Sequence, residues 1–230
     1  MILSFLILSL FCDNASLEKV ALNTDSRIFL NDLRLKTEKF RKDKKIKGLA
    51  IALFTSDTVI WKEGFGSSTY GFKVNTGTLF GLQSISKNFT ALAVLMAVRD
   101  GLLDLDKPIV EYLPDFKVNS CFEQNPEEKI TLRLLLSHTA GFTHEAPVGN
   151  NYNFTFKSYS DHLESIKSTW LKFQVGSDYS YSNLGFDLAA EIIEKVSGLT
   201  FSDYLDKNIF GPLYMKSSTI NDARFTINEN

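Results

Sequence analysis

The sequence predicts an α+β fold in which helices pack on an antiparallel sheet, with sheet strands missing on the C-terminal side. Three observations lead there. Residues 48–54 and 58–64 are strand-like apolar runs joined by Ser56-Asp57, the pattern of a hairpin. The runs that begin at Ser84, Thr131 and Leu184 are apolar on nearly every side, as buried helices are. Two strands make only a marginal sheet, so a sheet this small under so many helices implies that strands are absent.

Composition sets wide bounds. At 230 residues the chain is one large domain or two small ones, and 44% hydrophobic with 23% charged residues suits an ordinary globular core. The net charge is -2 and no basic stripe dominates, which argues against a nucleic-acid partner. The locally basic run at residues 39–47 reads as the solvated, C-terminal end of a helix. Two cysteines, Cys12 and Cys121, are too few for a disulfide framework. The histidines His138, His144 and His162 stand apart from any cysteine cluster, so neither metal nor cofactor is implied.

Along the chain, residues 1–11 are an apolar run too short to cross a bilayer. The run suits an export signal over residues 1–14, leaving a domain over 20–230, a secreted or periplasmic location and membrane proximity through this segment alone. No Lys or Arg precedes it and its cleavage pattern is poor, so a buried N-terminal strand or helix is the other reading. Residues 26–45 read as an amphipathic helix with Ile28, Leu30, Leu33, Leu35 and Phe40 as its stripe. A glycine-rich passage follows the hairpin. A buried helix then spans 84–100, closed by Gly101, with Asn88 of the acceptor pattern Asn88-Phe-Thr on its covered surface. Asn14-Ala-Ser and Asn153-Phe-Thr match the same pattern. Residues 116–129 read as an irregular polar insertion and 131–138 as a buried helix capped near Thr131. Residues 142–157 lack periodicity and read as a loop, 158–171 as a helix with Leu163, Ile166 and Trp170 on its apolar face. Helices at 184–196, closed by Gly198, and at 201–210 precede a tail at 222–230.

Chemistry gathers at two places. Ser84 opens its helix and Lys87 follows three residues later, so both project from one face of the first turn. A serine hydroxyl is a weak nucleophile and needs a nearby base. Lysine serves where burial or neighbouring charge disfavours the ammonium. A helix N-terminus adds N–H groups and a positive dipole end that favour a developing oxyanion. The plainer reading is that Ser84 is a cap and Lys87 a surface residue, although a capping box would place Glu or Gln, not Lys, at that position. Tyr181-Ser-Asn183 likewise has two readings: a helix start with Tyr181 as staple and Asn183 as cap, or a proton-relay phenol beside a substrate-binding amide.

Ser84-Ile-Ser-Lys87, the run Leu134-Leu-Leu-Ser-His138-Thr-Ala-Gly141 and Tyr181-Ser-Asn183-Leu-Gly together resemble the serine β-lactamase-related family, which includes class C β-lactamases, DD-peptidases and esterases. The resemblance covers about residues 48–215 and implies a β-lactamase/transpeptidase-like fold. It implies Ser84 as the acylated nucleophile, Lys87 as its activator, Tyr181 as general base and acid, and Asn183 as a substrate-binding group. It places Thr143 and His144 along the substrate cleft and His138 in a structural turn, with a small molecule or peptide as substrate and no metal. One departure stands out. The family carries K-T-G or H-x-G on a later strand that supplies half of the oxyanion hole. Here the only K-x-G is Lys62-Glu63-Gly64, upstream of the serine, and H-x-G does not occur. The expectation is a chain truncated before that strand and poorly active by itself, since one lost oxyanion donor costs about 10²–10³ in rate. A non-catalytic or truncated remnant of the same family is the alternative.

Overall fold

The computed structural model describes residues 7, 8, 24–149 and 159–220. The expectations for the export segment, for Asn14 and Asn153, and for the tail lie outside the described residues. The chain divides into two compact units. One holds Leu82–Leu213 with Thr219 and Ile220, the other Ile7–Gly81 with Tyr214–Ser218.

In the second unit, β2 (Gly48–Phe54) and β3 (Val59–Gly66) form the expected antiparallel hairpin, with Leu49 opposite Phe65 and a register shift at Leu53/Phe54. A separate ladder pairs β1 (Ile7–Leu8) with β4 (Phe80–Gly81). Gly66 sits at φ +74, and a Cβ there would lie 2.0 Å from the Lys47 carbonyl oxygen, so only glycine fits. Helix α1 (Thr24–Asp43) packs against β3, where Arg34 Nε meets Glu63 Oε1 at 2.6 Å. Its covered stripe runs through Leu30, Leu33 and Thr37, a 3–4 spacing. Ile28, Leu35 and Phe40, expected on that stripe, are all more than half exposed. Ile28 and Leu35 lie off the 3–4 progression, while Phe40 falls on it in the last turn of the helix and is exposed all the same; hydrophobicity alone could not tell these three from the covered set.

In the first unit α5 (Leu184–Ser197) is the central helix, touching α2 (Lys87–Arg99), α3 (Leu132–Leu136), α4 (Tyr159–Lys167) and α6 (Phe201–Leu205). Leu184, Leu188, Ala189, Ile192 and Ile193 are buried along it, against Ala93, Val94 and Ala97 of α2 and Leu132 and Leu135 of α3. Each such large aliphatic side chain stabilises the fold by about 1.5–3 kcal/mol. Thr131 Oγ1 accepts the Leu134 N–H and caps α3, and Gly198 ends α5 at φ +68, both as expected. A Cβ on Gly185 would stand 3.0 Å from the Leu135 carbonyl oxygen, so this glycine lets α3 approach α5. The last helix is two pieces, α6 and a π turn over Asp206–Phe210, with Phe89 edge-on to Phe210 at 5.6 Å.

Two expectations need correction here. Helix α2 is not covered all round: Asn88 is exposed, with Leu92 and Leu95 on the same face. Helix α4 ends at Lys167, because Asn119 takes the backbone of the next residues, accepting from Leu171 N–H at 2.9 Å and donating to Thr169 O at 3.1 Å. Trp170 is consequently outside the helix and 57% exposed. The insertion at 116–129 is irregular apart from a 3₁₀ turn at Pro126–Glu128, and polar contacts hold it in place. The Glu123 carboxylate pairs with Lys129 and accepts the Val175 N–H at 2.7 Å, while buried Glu127 pairs with Lys117 at 2.6 Å.

Candidate active site

All of the site residues expected from the sequence lie in the first unit. Gln83, at φ +50, turns the chain into a 3₁₀ turn over Gln83–Ser86, and α2 starts at Lys87. A non-glycine residue held left-handed is a local cost of the kind that clusters at functional sites. Ser84 therefore rides on the 3₁₀ turn and is exposed, while Lys87 is 8% exposed. An early lysine buried to that degree is not a solvated surface residue.

The Lys87 amine donates to Asn183 Oδ1 at 2.7 Å and lies 4.8 Å from the centre of the Tyr181 ring and 5.6 Å from that of Phe186. The two short patterns thus meet, although 96 residues separate Lys87 from Asn183. Asn183 makes no side-chain cap bond to α5. Its amide is committed instead to Lys87 and, through Nδ2, to Glu145 Oε1 at 2.6 Å. The capping service falls to Ser182, whose Oγ accepts the Leu184 N–H at 3.1 Å.

Tyr181 lies between two imidazoles. His138 packs against it at a tilt, 4.4 Å between ring centres, and His144 stacks on it at 5.5 Å. His138 is held at φ +61 and accepts the Ser182 N–H on Nδ1 at 3.1 Å. Burial, together with the nearby Lys87 charge, lowers its pKa and keeps the ring neutral, as that acceptor role requires. The expectation of a packed His138 is met, and the packing partner is Tyr181 itself. His144 is exposed beside the ring. Thr143 contributes mainly through backbone: its carbonyl accepts from Ser182 Oγ at 2.7 Å, and its hydroxyl donates to Glu145 O at 3.1 Å.

Sequence reasoning passed over Glu145, which touches Asn183, and His162, which anchors the same loop. His162 is 1% exposed. Its Nδ1 stands 2.6 Å from Val148 O and its Nε2 3.0 Å from Asp187 Oδ2. Both neighbours are acceptors, so both ring nitrogens donate and the ring is an imidazolium. Neither residue had a local signal; each is a single polar residue in a loop or on a short helix. Among the described residues, no group of three or more His, Cys, Asp or Glu is placed to hold a metal ion.

Residues 33–227 match the family model described as Beta-lactamase. The chain belongs to the beta-lactamase family. Among its relatives is Protein flp of Staphylococcus aureus strain MW2, 28% identical over 78% of this chain and 36% of the relative. The fold is that of β-lactamases and transpeptidases. The octameric penicillin-binding protein homologue from Pyrococcus abyssi is 25% identical, with a TM-score of 0.68 over 80% of this chain and 43% of that one. D-amino acid amidase from Ochrobactrum anthropi SV3, in complex with L-phenylalanine amide, shares the fold at 24% identity and a TM-score of 0.67, over 81% and 51% of the two chains. The chain spans about a third of the length of the curated relative it matches. The beta-lactamase family includes hydrolases, and this site has the residue types that a serine hydrolase uses.

Proposed function

We propose that this chain is a serine hydrolase that forms an acyl-enzyme at Ser84 on an amide, lactam or ester substrate. The observation that carries the reading is Lys87, buried three residues after the exposed Ser84 and joined to Asn183 beside the Tyr181 ring. In the reaction the Ser84 Oγ–H proton passes to the Lys87–Tyr181 pair as Oγ bonds to the substrate carbonyl carbon. The carbonyl oxygen takes the negative charge. Collapse of that intermediate breaks the bond to the amine or alkoxide, which leaves with the proton. Water then repeats the sequence on the ester and frees Ser84. Asn183, with His144 and Thr143 at the rim, orients the substrate. A small molecule or peptide is the substrate class. An export signal in residues 1–14 would deliver the chain to a secreted or periplasmic location, and fractionation of cells expressing it tests that placement.

The direct test is intact-mass spectrometry of the purified chain after treatment with a fluorophosphonate and, separately, a penicillin. One adduct that Ser84→Ala loses is the expected result, and the penicillin arm separates lactam from ester or peptide preference. A folded sample with no adduct would refute the proposal and leave a non-catalytic member of the family.

A further inference from the structure

We propose that Glu145 is a positioning residue for the Ser84 reaction, acting through the Asn183 amide to hold the Lys87 amine in place. The inference rests on the acyl-transfer reading and adds to it a residue from a loop with no recognisable pattern. An asparagine amide has one accepting end and one donating end. At Asn183 the accepting end meets an amine that only donates, and the other end meets a carboxylate that only accepts. Only one orientation of the amide makes both bonds; a flip would set carbonyl against carboxylate and N–H against amine. Glu145 therefore selects the orientation that offers Oδ1 to Lys87. The 2.6 Å bond is charge-assisted, a class roughly twice as strong as a neutral hydrogen bond.

The carboxylate is itself fixed. The Glu145 side chain is 11% exposed, and His144 Nδ1 stands 3.6 Å from the oxygen that Asn183 uses. Its backbone is held on both sides: Asn183 N–H donates to His144 O at 3.0 Å, and Thr143 Oγ1 donates to Glu145 O. Further along the loop, Val148 is bound to α4, its N–H to Ser165 Oγ at 3.3 Å and its carbonyl to His162 and to Ser165. The carboxylate thus reaches Asn183 from a backbone tied at both ends of a short run, and the amide it orients touches the amine of Lys87, three residues along the chain from Ser84.

The test is a cycle of E145A, N183A and the double variant, with E145Q alongside. The rate of Ser84 labelling by a fluorophosphonate and the ¹⁵N–¹H resonance pair of the Asn183 side-chain amide are read in each. E145A should label about 10- to 100-fold more slowly, the loss expected for one hydrogen bond to a charged group. E145Q keeps an accepting oxygen and should lose less. The double variant should label at the rate of N183A alone, because Glu145 acts through Asn183. The Asn183 resonances should be displaced and protected from exchange in the parent and E145Q, and relax in E145A. Labelling of E145A at the parent rate, or losses that multiply in the double variant, overturns the proposal. If E145A does not fold, E145Q and N183A form the same cycle. A folded parent without any Ser84 adduct overturns the acyl-transfer reading instead. The Asn183 resonances then decide the positioning alone, and no change in them between parent and variants overturns it.

Discussion

The buried His162–Asp187 pair should be the most pH-sensitive support of the loop that carries Glu145. His162→Leu removes the imidazolium and leaves the Asp187 carboxylate, 4% exposed, without the ring nitrogen that stands 3.0 Å from it. It also removes the donor 2.6 Å from Val148 O. Stripping one partner from a buried ion pair costs about 3–5 kcal/mol. In a chain of this size each kcal/mol moves the melting temperature by about 2–4 °C, so a drop of about 6–20 °C should follow. The pH dependence has a defined sign. Burial opposes the charge on His162, but the Asp187 hydrogen bond and charge, with the Val148 carbonyl, outweigh it and raise the pKa. The folded chain therefore holds this proton more tightly than the unfolded chain. The contribution is full below the ordinary imidazole value of about 6.5 and disappears as pH climbs through the raised folded value. Melting temperature by circular dichroism, for parent and His162→Leu across that range, is the assay. A variant melting within about 2 °C of the parent, or a parent with the same alkaline slope as the variant, would refute the imidazolium assignment. The double change H162L/D187L should recover much of the loss, since an apolar pair of similar volume replaces a buried ion pair at little or no cost.

Tyr181→Phe keeps a ring between His138 and His144 and removes only the hydroxyl, so Ser84 labelling should fall by about 10²-fold or more while the melting temperature barely moves. An equal loss of labelling and stability would show that Tyr181 is packing alone. Gly185→Ala sets a Cβ 3.0 Å from the Leu135 carbonyl oxygen and 3.4 Å from its Cα. Overpacking of that kind should cost about 1–3 kcal/mol in denaturant unfolding, and it should slow labelling too, because the start of α5 carries Asn183.

What could be read from the sequence was what local spacing encodes. Ser84 and Lys87 lie within one turn, Tyr181 and Asn183 within three residues, and the hairpin and the caps at Thr131 and Gly198 are short-range signals. What could not be read depends on partners far along the chain. The end of α4 is set by Asn119, whose backbone bonds reach Thr169 and Leu171. The exposure of Leu92 and Leu95 follows from which neighbours α2 has, and an apolar residue looks the same in sequence whether covered or not. Glu145 matters because of a bond to a residue 38 positions away, His162 because of bonds to residues 14 and 25 positions away, and neither belongs to a repeating pattern.

The bonds that set the Tyr181–Asn183 segment are largely backbone bonds, and this separates scaffold from chemistry. Ser180 N–H donates to His138 O, Ser182 N–H to His138 Nδ1, and Asn183 N–H to His144 O, while Ser182 Oγ reaches Thr143 O. These bonds cross between the segment 180–183 and the loop 138–144 on either side of Tyr181, which leaves its ring projecting between the two imidazoles. The side chains of Thr143 and His144 are not needed for that docking, since their carbonyls do the work. Those two side chains act elsewhere in the site, the His144 ring against Tyr181 and the Thr143 hydroxyl on the backbone of Glu145. Lys87 comes to the same place on a different helix and meets the segment at the Asn183 amide. A small rotation of that amide would break the link while leaving every backbone bond intact. The orientation of one side chain, rather than the docking of the loop, is therefore where this site is most easily switched off.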